Sequence, residues 1–277
     1  MPTRRPWHNL LTPTWIVGHL LAVVVVVSFS QFGAWQLRRH DQREARNAVI
    51  ETRLVAPPVS LAIALAEAEA ARSEVGQAEA AADGVSDPLD YRRVQLDGRY
   101  DPDVEVLRRP VSRDGVPGFH VVTPFVLADG SAVLVERGWV PQEFDRAPVE
   151  AAQPPAGEVT IQAWAFPGER PPSGPLAGLA PRDPPTGRLT QVAYVDPQRL
   201  AEQVPYPLQP ARLLLDAGPR PPGDSSLPLP PPAPAATMGP HLGYAIQWYA
   251  FVAITVIGYA ALLRKRLREA AAASGEG

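Results

Sequence analysis

The chain has 277 residues, a net charge of −3 at neutral pH and no cysteine. The lack of cysteine excludes disulfides, thiol redox chemistry, thiolate metal sites and covalent heme attachment through a CxxCH motif. With a pI near 6.0 and no basic stripe, nothing in the chain indicates binding to nucleic acid.

Two apolar segments, residues 15–34 and 241–263, are long enough to cross a bilayer, which takes roughly 20 mostly apolar residues. We therefore predict two transmembrane helices with one large domain between them. The alternative for the first segment is a cleaved signal peptide, but FGAWQ is a poor cleavage site. A twin-arginine signal at Arg4 and Arg5 is disfavoured by the PWHNLL that follows.

Charge indicates the orientation of these helices. The tails, residues 1–14 and 264–277, hold six basic and two acidic residues, a net charge of +4, whereas the segment between them carries −7. Because short positive tails stay in the cytoplasm, we expect both termini to be cytoplasmic and the main domain to lie outside the cell membrane. Four arginines that follow the first span weakly favour the opposite orientation of the helices: Arg38, Arg39, Arg43 and Arg46.

Residues 35–90 are predicted to connect the first span to the domain through helix and loop. Residues 60–77 are rich in alanine and glutamate, and Ser60 can cap a helix there. The apolar face of this helix is thin, which suggests an excursion on the surface. Residues 76–88 are predicted to be loop.

Residues 91–218 have the pattern of an extracytoplasmic α+β domain dominated by an antiparallel sheet or small barrel. Alternating apolar residues predict strands over residues 91–100, 104–109, 118–127, 131–140, 158–166 and 211–218. Asp129 and Gly130 fit a hairpin turn, and Asp196 can cap a short helix over 196–204. Residues 167–187 read as loop. The proline-rich residues 219–240 are predicted to form neither ladder nor helix and to act as a semi-stiff tether.

No motif of a known catalytic type is present: the chain lacks a nucleophile elbow, a P-loop, an HExxH sequence and a dinucleotide fingerprint. Acidic pairs such as Asp101 and Asp103 lie in turn-like contexts and are interpreted as solvated. We therefore expect that the protein is not an enzyme.

Four of the five histidines have structural interpretations. His8 and His40 flank a membrane face and are expected to be solvated, and His120 is expected to be a satisfied surface or cavity histidine. His19 lies inside the first span, where a polar side chain is costly and usually faces protein. We expect it to bond to a partner helix. It lies roughly 22 Å from the outer end of its helix, too far to share an iron with His241.

His241 stands at the outer end of the second span. Tyr244, Ala245 and Trp248 follow at positions that share its helix face. An imidazole above an aromatic stripe suits a flat, iron-centred ring, and imidazole is a common axial ligand of heme. In the alternative, the aromatic residues form an interfacial belt and His241 bonds water or a loop.

Arg38 and Arg39 leave the first span at the same outer surface. Their guanidinium groups can pair with the propionate carboxylates of a heme. They can equally bind lipid phosphates, which is the commoner case.

Five stretches, in this order, resemble the surfeit-locus-one family, the membrane assembly factors of cytochrome c oxidase: GAWQLRR, YRRVQLDGRYD, GFHVVTPFVLADGSAVLVERGWVP, VDPQRLAEQVPYPL and PHLGYAIQWYAF. RGWVP and HLxYAxQW are specific in combination, and the resemblance covers nearly the whole chain. Lysine occurs once among 26 basic residues, which indicates a GC-rich, bacterial genome. The chain departs from several relatives at Met238-Gly239-Pro240, where they have asparagines. The region around residues 66–82 and the tether look like additions.

The resemblance implies an assembly factor that handles heme a for the largest oxidase subunit, with His241 as the proposed ligand of the heme iron. It also implies contact with the respiratory complex and membrane lipid. Within the motifs, we interpret the glycines as turn residues and Trp139 as a core anchor. The alternative is a structural or docking subunit of a respiratory complex that binds no heme.

Overall fold

The computed structural model of the protein describes residues 10–75, 87–174, 177–218 and 224–275. The chain divides into two compact units, Met1–Asn47 with Thr237–Gly277 and Ala48–Ala236. The first is a pair of helices and the second is a sheet-rich domain.

Two long helices make up the first unit. Helix α1 runs over Pro13–Val55 and the last helix, α4, over His241–Gly275. Both are long and apolar enough to cross a membrane, by length and composition. Helix α1 continues for 21 residues past the predicted end of its apolar run at residue 34, because the glutamine, arginine, glutamate and alanine that follow are good helix formers. Much of the predicted connecting segment is therefore helix.

Polar and aromatic contacts pair α1 with α4. The hydroxyl of Tyr259 donates to Nδ1 of His19 at 2.5 Å, and Nε2 of His19 donates to the carbonyl of Leu10 at 3.1 Å. The prediction that His19 bonds a partner helix is confirmed. Both of its ring nitrogens are used, so His19 stabilises the helix pair and has no nitrogen left for a ligand.

In its described residues, the second unit contains two further α-helices and seven strands. Helix α2 spans Leu61–Val75 and the short α3 spans Pro197–Leu200. The strands are β1 Arg92–Tyr100, β2 Val106–Arg113, β3 Val116–Leu127, β4 Ala132–Pro141, β5 Val159–Pro167, β6 Gln191–Val192 and β7 Leu208–Leu215.

Five of these strands close into a small barrel. Their order is β1-β5-β7-β4-β3, and β1 pairs with β3 to complete the ring, while β2 and β6 extend the sheet beyond β3. The expected barrel is present and most of its strand pairs are antiparallel, as predicted, but the sheet as a whole is mixed. Strands β4 and β7 run parallel, as do β2 and β6, because the long connection from β5 to β7 lets β7 enter beside β4 in that direction.

Helix α2 packs on the main core and is not the surface excursion that its composition suggested. Leu61, Ala64 and Ala68 are at most 4 % exposed and join a cluster that includes Val94, Phe125 and Leu213. Their spacing of three and four residues places them on one face of the helix. Alanine is small enough to bring this helix close to the sheet, so a thin apolar face is sufficient. Most of the predicted loop over 76–88 lies outside the described residues.

One predicted strand has different bounds, one strand was not predicted, and one helix cap is confirmed. Strand β2 ends at Arg113 and not at residue 109, because a register shift between Arg108 and Val111 accommodates Pro110. The two-residue β6 had no sequence signal. The cap of α3 is as predicted, with the Asp196 carboxylate accepting from the amide of Gln198 at 2.9 Å.

Of the described part of the tether, residues 224–236 belong to the same unit as the barrel, and Leu229 contacts it. Leu229 and Trp139 exchange two backbone hydrogen bonds, at 2.7 and 2.8 Å, so the expectation that this segment forms no ladder is wrong. A Cβ at Gly138 would lie 2.3 Å from the carbonyl oxygen of Leu229. Gly138 therefore marks a close backbone approach and not a turn. The buried Trp139, 6 % exposed, is a core anchor as predicted.

Candidate functional site

The site is built where α4 begins. Pro240 precedes the first helical residue, His241, and its carbonyl accepts the amide of Tyr244 at 3.1 Å. Proline suits this position because its missing N–H would have no partner in the first turn. Gly239 turns the chain into the helix with φ +66°, a conformation that glycine adopts without strain.

His241 has one ring nitrogen bonded and one available. Its Nδ1 lies 3.0 Å from Oε1 of Gln36 on α1. A hydrogen bond to this amide oxygen requires the imidazole tautomer that has its proton on Nδ1 and its lone pair on Nε2. Among the described residues, Nε2 makes no hydrogen bond to protein.

The space beside Nε2 is kept open by a missing side chain. A Cβ at Gly239 would lie 3.3 Å from Nε2 and from Cδ2 of His241. A larger residue at 239 would crowd the nitrogen that has the lone pair. A half-buried imidazole whose Nε2 has no hydrogen-bond partner among the described residues fits the requirements of a ligand for heme iron.

The predicted aromatic stripe is only partly assembled around His241. Ala245 is 1 % exposed and Trp248 is half-buried, whereas Tyr244 is 48 % exposed at the flank of the helix. The centroid of the Trp248 ring lies 4.9 Å from the ring centroid of Phe32 and 5.3 Å from that of Phe29. Trp248 thus packs between the helices, and Tyr244 has the more accessible ring.

The two predicted arginines lie on different sides of α1. Arg39 is three residues from Gln36 and on the same side of the helix; its Nη1 donates to Oε1 of Gln42 at 3.1 Å. Arg38 is two residues from Gln36, about 200° around the helix. Both side chains are exposed. The structure therefore places Arg39 near the side that holds His241, and Arg38 away from it.

Sequence reasoning missed the α1 residues that hold the start of α4. Besides Gln36, the Asn47 side chain bonds the amide of Thr237 at 3.2 Å and the sulfur of Met238 at 3.1 Å. Between them lies the half-buried His40; its Nδ1 is buried without a hydrogen-bond partner, so this nitrogen is not solvated as expected. The polar residues 36, 40 and 47 recur at helical spacing, and that pattern was readable.

A second polar cluster lies in the sheet-rich unit. The fully buried carboxylate of Glu136 accepts from Arg212 at 2.6 Å, from Arg108 at 3.2 Å and from Nδ1 of His120 at 2.9 Å. Both arginines also reach Glu169, at 2.7 and 3.3 Å. His120 is therefore a satisfied histidine, as predicted.

The charges of this cluster balance within the protein. Burial alone would raise the pKa of Glu136, but the hydrogen bond from His120 and the charges of Arg212 and Arg108 lower it to about 2. The carboxylate is ionised at neutral pH and all its partners are protein groups, which is typical of a structural network. In the part of the chain that the structure describes, no three His, Asp or Glu residues are grouped so as to hold a metal ion.

Comparison with known proteins gives one consistent result. The model of the SURF1 family matches residues 23–253. A SURF1-like protein of Mycobacterium tuberculosis is 31 % identical over 273 residues, covering 95 % of this chain and 89 % of the relative. A SURF1-like protein of Monosiga brevicollis is 29 % identical, with 88 % and 87 % covered. The cytochrome oxidase assembly protein SHY1 of Saccharomyces cerevisiae is 29 % identical over 129 residues, 46 % of this chain and 29 % of the yeast protein.

Proposed function

Since the chain belongs to the SURF1 family, we propose that it is an assembly factor for a heme-copper cytochrome c oxidase. The similarity to a yeast protein named for cytochrome oxidase assembly supports this role. The proposal assigns the protein no catalytic reaction: it acts by binding and release.

We further propose that it handles heme a for the largest oxidase subunit and that His241 is the ligand. The observation that carries this proposal is the 3.0 Å contact between Nδ1 of His241 and Oε1 of Gln36, which leaves Nε2 as the nitrogen available to a ligand. When bound, heme a would supply an iron that the imidazole of His241 would hold. In this proposal Arg39 pairs with a propionate and the exposed Tyr244 ring contacts the porphyrin. Arg38 is assigned to binding lipid phosphate, and Trp248 is assigned to packing between the helices.

The start of α4 suits a carrier that must release its cargo. His241 is a single imidazole at the end of a helix, half-buried and not enclosed. One axial ligand at such a position holds heme less firmly than a buried pair of ligands does, which allows transfer to the oxidase subunit.

The same proposal includes a location in the cell membrane. Helices α1 and α4 cross the bilayer, both termini are cytoplasmic, and the barrel and His241 face the outside. Support comes from the two long apolar helices and from the positive charge of the short tails.

Cells that lack this chain can be used to test both parts of the proposal, the role in oxidase assembly and the handling of heme a by His241. We expect their membranes to lose oxidase heme a and assembled oxidase, and we expect the wild-type chain to restore both. His241→Ala should leave oxidase heme a low, whereas the control Gln247→Ala, at an exposed position of the same helix, should restore it. A mild-detergent pull-down of the wild type should recover the largest oxidase subunit.

The competing function is a docking subunit of a respiratory complex that binds no heme. Its prediction is different: His241→Ala would restore oxidase heme a as well as the wild type does. Oxidase that assembles normally in cells without the chain would contradict both functions.

A further inference from the structure

We propose that Gln36 is the positioning residue of the site: it fixes the proton of His241 on Nδ1 and so presents the Nε2 lone pair to the ligand. This inference deepens the proposed function and rests on it for the identity of the ligand, heme a. The hydrogen bond itself can be tested without heme.

The first step is the chemistry of the pair. A neutral imidazole carries its proton on either nitrogen, and the hydrogen bond at one nitrogen decides which one is left to bind a metal. Oε1 of Gln36 lies 3.0 Å from Nδ1 of His241. As an acceptor, this oxygen selects the form with a proton on Nδ1 and leaves Nε2 as the ligand atom.

The second step is the rigidity of the two helices at this level. Gly33, one turn before Gln36, is buried, and a Cβ there would lie 2.9 Å from the ring of Tyr249 on α4. Close packing at Gly33 fixes the distance between α1 and α4 immediately beside the hydrogen bond. Gln36 is therefore held where it can orient the imidazole.

The third step is the chain that leads into His241. Asn47, 8 % exposed, bonds the amide of Thr237 and the sulfur of Met238. Helix α1 thus holds residues 237–238 through Asn47 and residue 241 through Gln36. Between these points, Gly239 leaves the side of Nε2 open. The protein constrains Nδ1 and its surroundings while it exposes Nε2.

Residues that orient a metal-binding histidine through its second nitrogen have a measurable effect on affinity. Their loss typically weakens metal binding by about 10- to 100-fold, since the tautomer, ring orientation and basicity of the ligand all change. We expect a loss of this size for heme a in Gln36→Leu. Gln36→Glu should retain wild-type affinity, because a carboxylate oxygen accepts the same proton.

The heme-free test is ¹⁵N NMR of the full-length protein in detergent with ¹⁵N-labelled histidine, in which His241→Ala assigns the signals of His241. At a pH where the imidazole is neutral, we expect a protonated Nδ1 and an unprotonated Nε2 in the wild type and in Gln36→Glu. In Gln36→Leu this preference should be lost. The matched control Gln247→Leu should leave the spectrum unchanged.

The second readout is a titration of the same proteins with heme a, followed by the Soret band. Gln36→Leu should bind about 10- to 100-fold more weakly than the wild type, and Gln36→Glu and Gln247→Leu should bind equally well. Recovery of binding in Gln36→Glu separates the loss of an acceptor from a general loss of folding.

Three results would overturn the positioning role. They are a proton on Nε2 in the wild type, a tautomer that does not change in Gln36→Leu, and a Gln36→Glu variant as defective as Gln36→Leu. Failure of the proposed function looks different: the tautomer responds to Gln36→Leu as expected, which supports the positioning role, while heme a binding is indifferent to His241→Ala.

Discussion

Glu136 is a charged side chain that the barrel has removed from water entirely, at 0 % exposure. Such a carboxylate is tolerated only with charged and hydrogen-bonding partners, and it has three in Arg108, Arg212 and His120. The partners come from β2, β7 and β3, so the cluster joins three strands to β4. Arg108 and Arg212 reach onward to Glu169, which ties the loop after β5 to the same network.

The lowered pKa of Glu136 predicts loss of stability in acid. Because the pKa falls from 4.5 to about 2 on folding, the contribution of this carboxylate is complete above about pH 4.5 and is lost as the pH falls toward 2. The shift corresponds to roughly 3 kcal/mol. We expect the free energy of unfolding of the full chain to fall by about this amount between pH 5 and pH 2, measured by denaturant titration in detergent.

Two substitutions of glutamate by glutamine test whether Glu136 causes the acid dependence of stability. Glu136→Gln should cost about 3–5 kcal/mol at pH 7, because two half-buried arginines lose a buried charge partner, and it should remove most of the acid dependence. The exposed Glu143→Gln should behave like the wild type. If Glu136→Gln retains the full acid dependence, another group is responsible for it.

For single residues, the sequence predicted the contacts of a side chain correctly where the surroundings of that side chain leave few choices of partner. A histidine inside an apolar span has to find a protein partner, which predicted the bond of His19 to the other helix. Gln36 and His40 were harder, since they follow the span in a charged stretch that reads as solvated. The role of Gln36 depends on the neighbouring helix, because its partner His241 lies 205 residues further along the chain.

The pairing of α1 with α4 depends on a small residue at their contact. Gly33 lies against the ring of Tyr249, whereas Gly18 on the same helix has only the Tyr259 hydroxyl within 4.0 Å of a built Cβ. The two glycines therefore form a matched pair. Alanine raises helix propensity equally at both, by about 1 kcal/mol, but it meets a steric conflict only at Gly33.

We expect Gly33→Ala to be less stable than Gly18→Ala by about 1–3 kcal/mol, the usual cost of overpacking. The measurement is the thermal or denaturant stability of each full-length variant in the same detergent. Gly33→Ala should also weaken heme a binding, because it moves Gln36 away from His241. Equal stability of the two variants would mean that α1 and α4 do not pack at Gly33.

Elements with a strong local pattern were predictable, and those defined by distant partners were not. Helix α2, the cap of α3 and five of the strands followed from periodicity and turn residues. The parallel pairing of β4 with β7 could not be inferred, because alternation along a strand does not specify its neighbour. The tether was misread because its prolines lack donors, whereas Leu229, which follows Pro228, keeps its N–H and bonds Trp139.

For the whole molecule, the proposed orientation follows from two short positive tails around a large acidic segment. The absence of cysteine makes it directly testable, since one introduced cysteine is the only thiol in the chain. A membrane-impermeant maleimide should label Glu143→Cys in intact spheroplasts. It should label Thr3→Cys and Ala271→Cys only after lysis. Labelling in the opposite pattern would place the barrel in the cytoplasm and His241 at the wrong surface for the proposed role.

The proposed function depends most on whether His241 binds heme a. The direct measurement is the Soret spectrum and affinity of purified full-length protein titrated with heme a, compared between the wild type, His241→Ala and the control His120→Ala. We predict a ligand-dependent Soret shift in the wild type and in His120→Ala, and its loss in His241→Ala. An identical spectrum and affinity in His241→Ala would contradict the account.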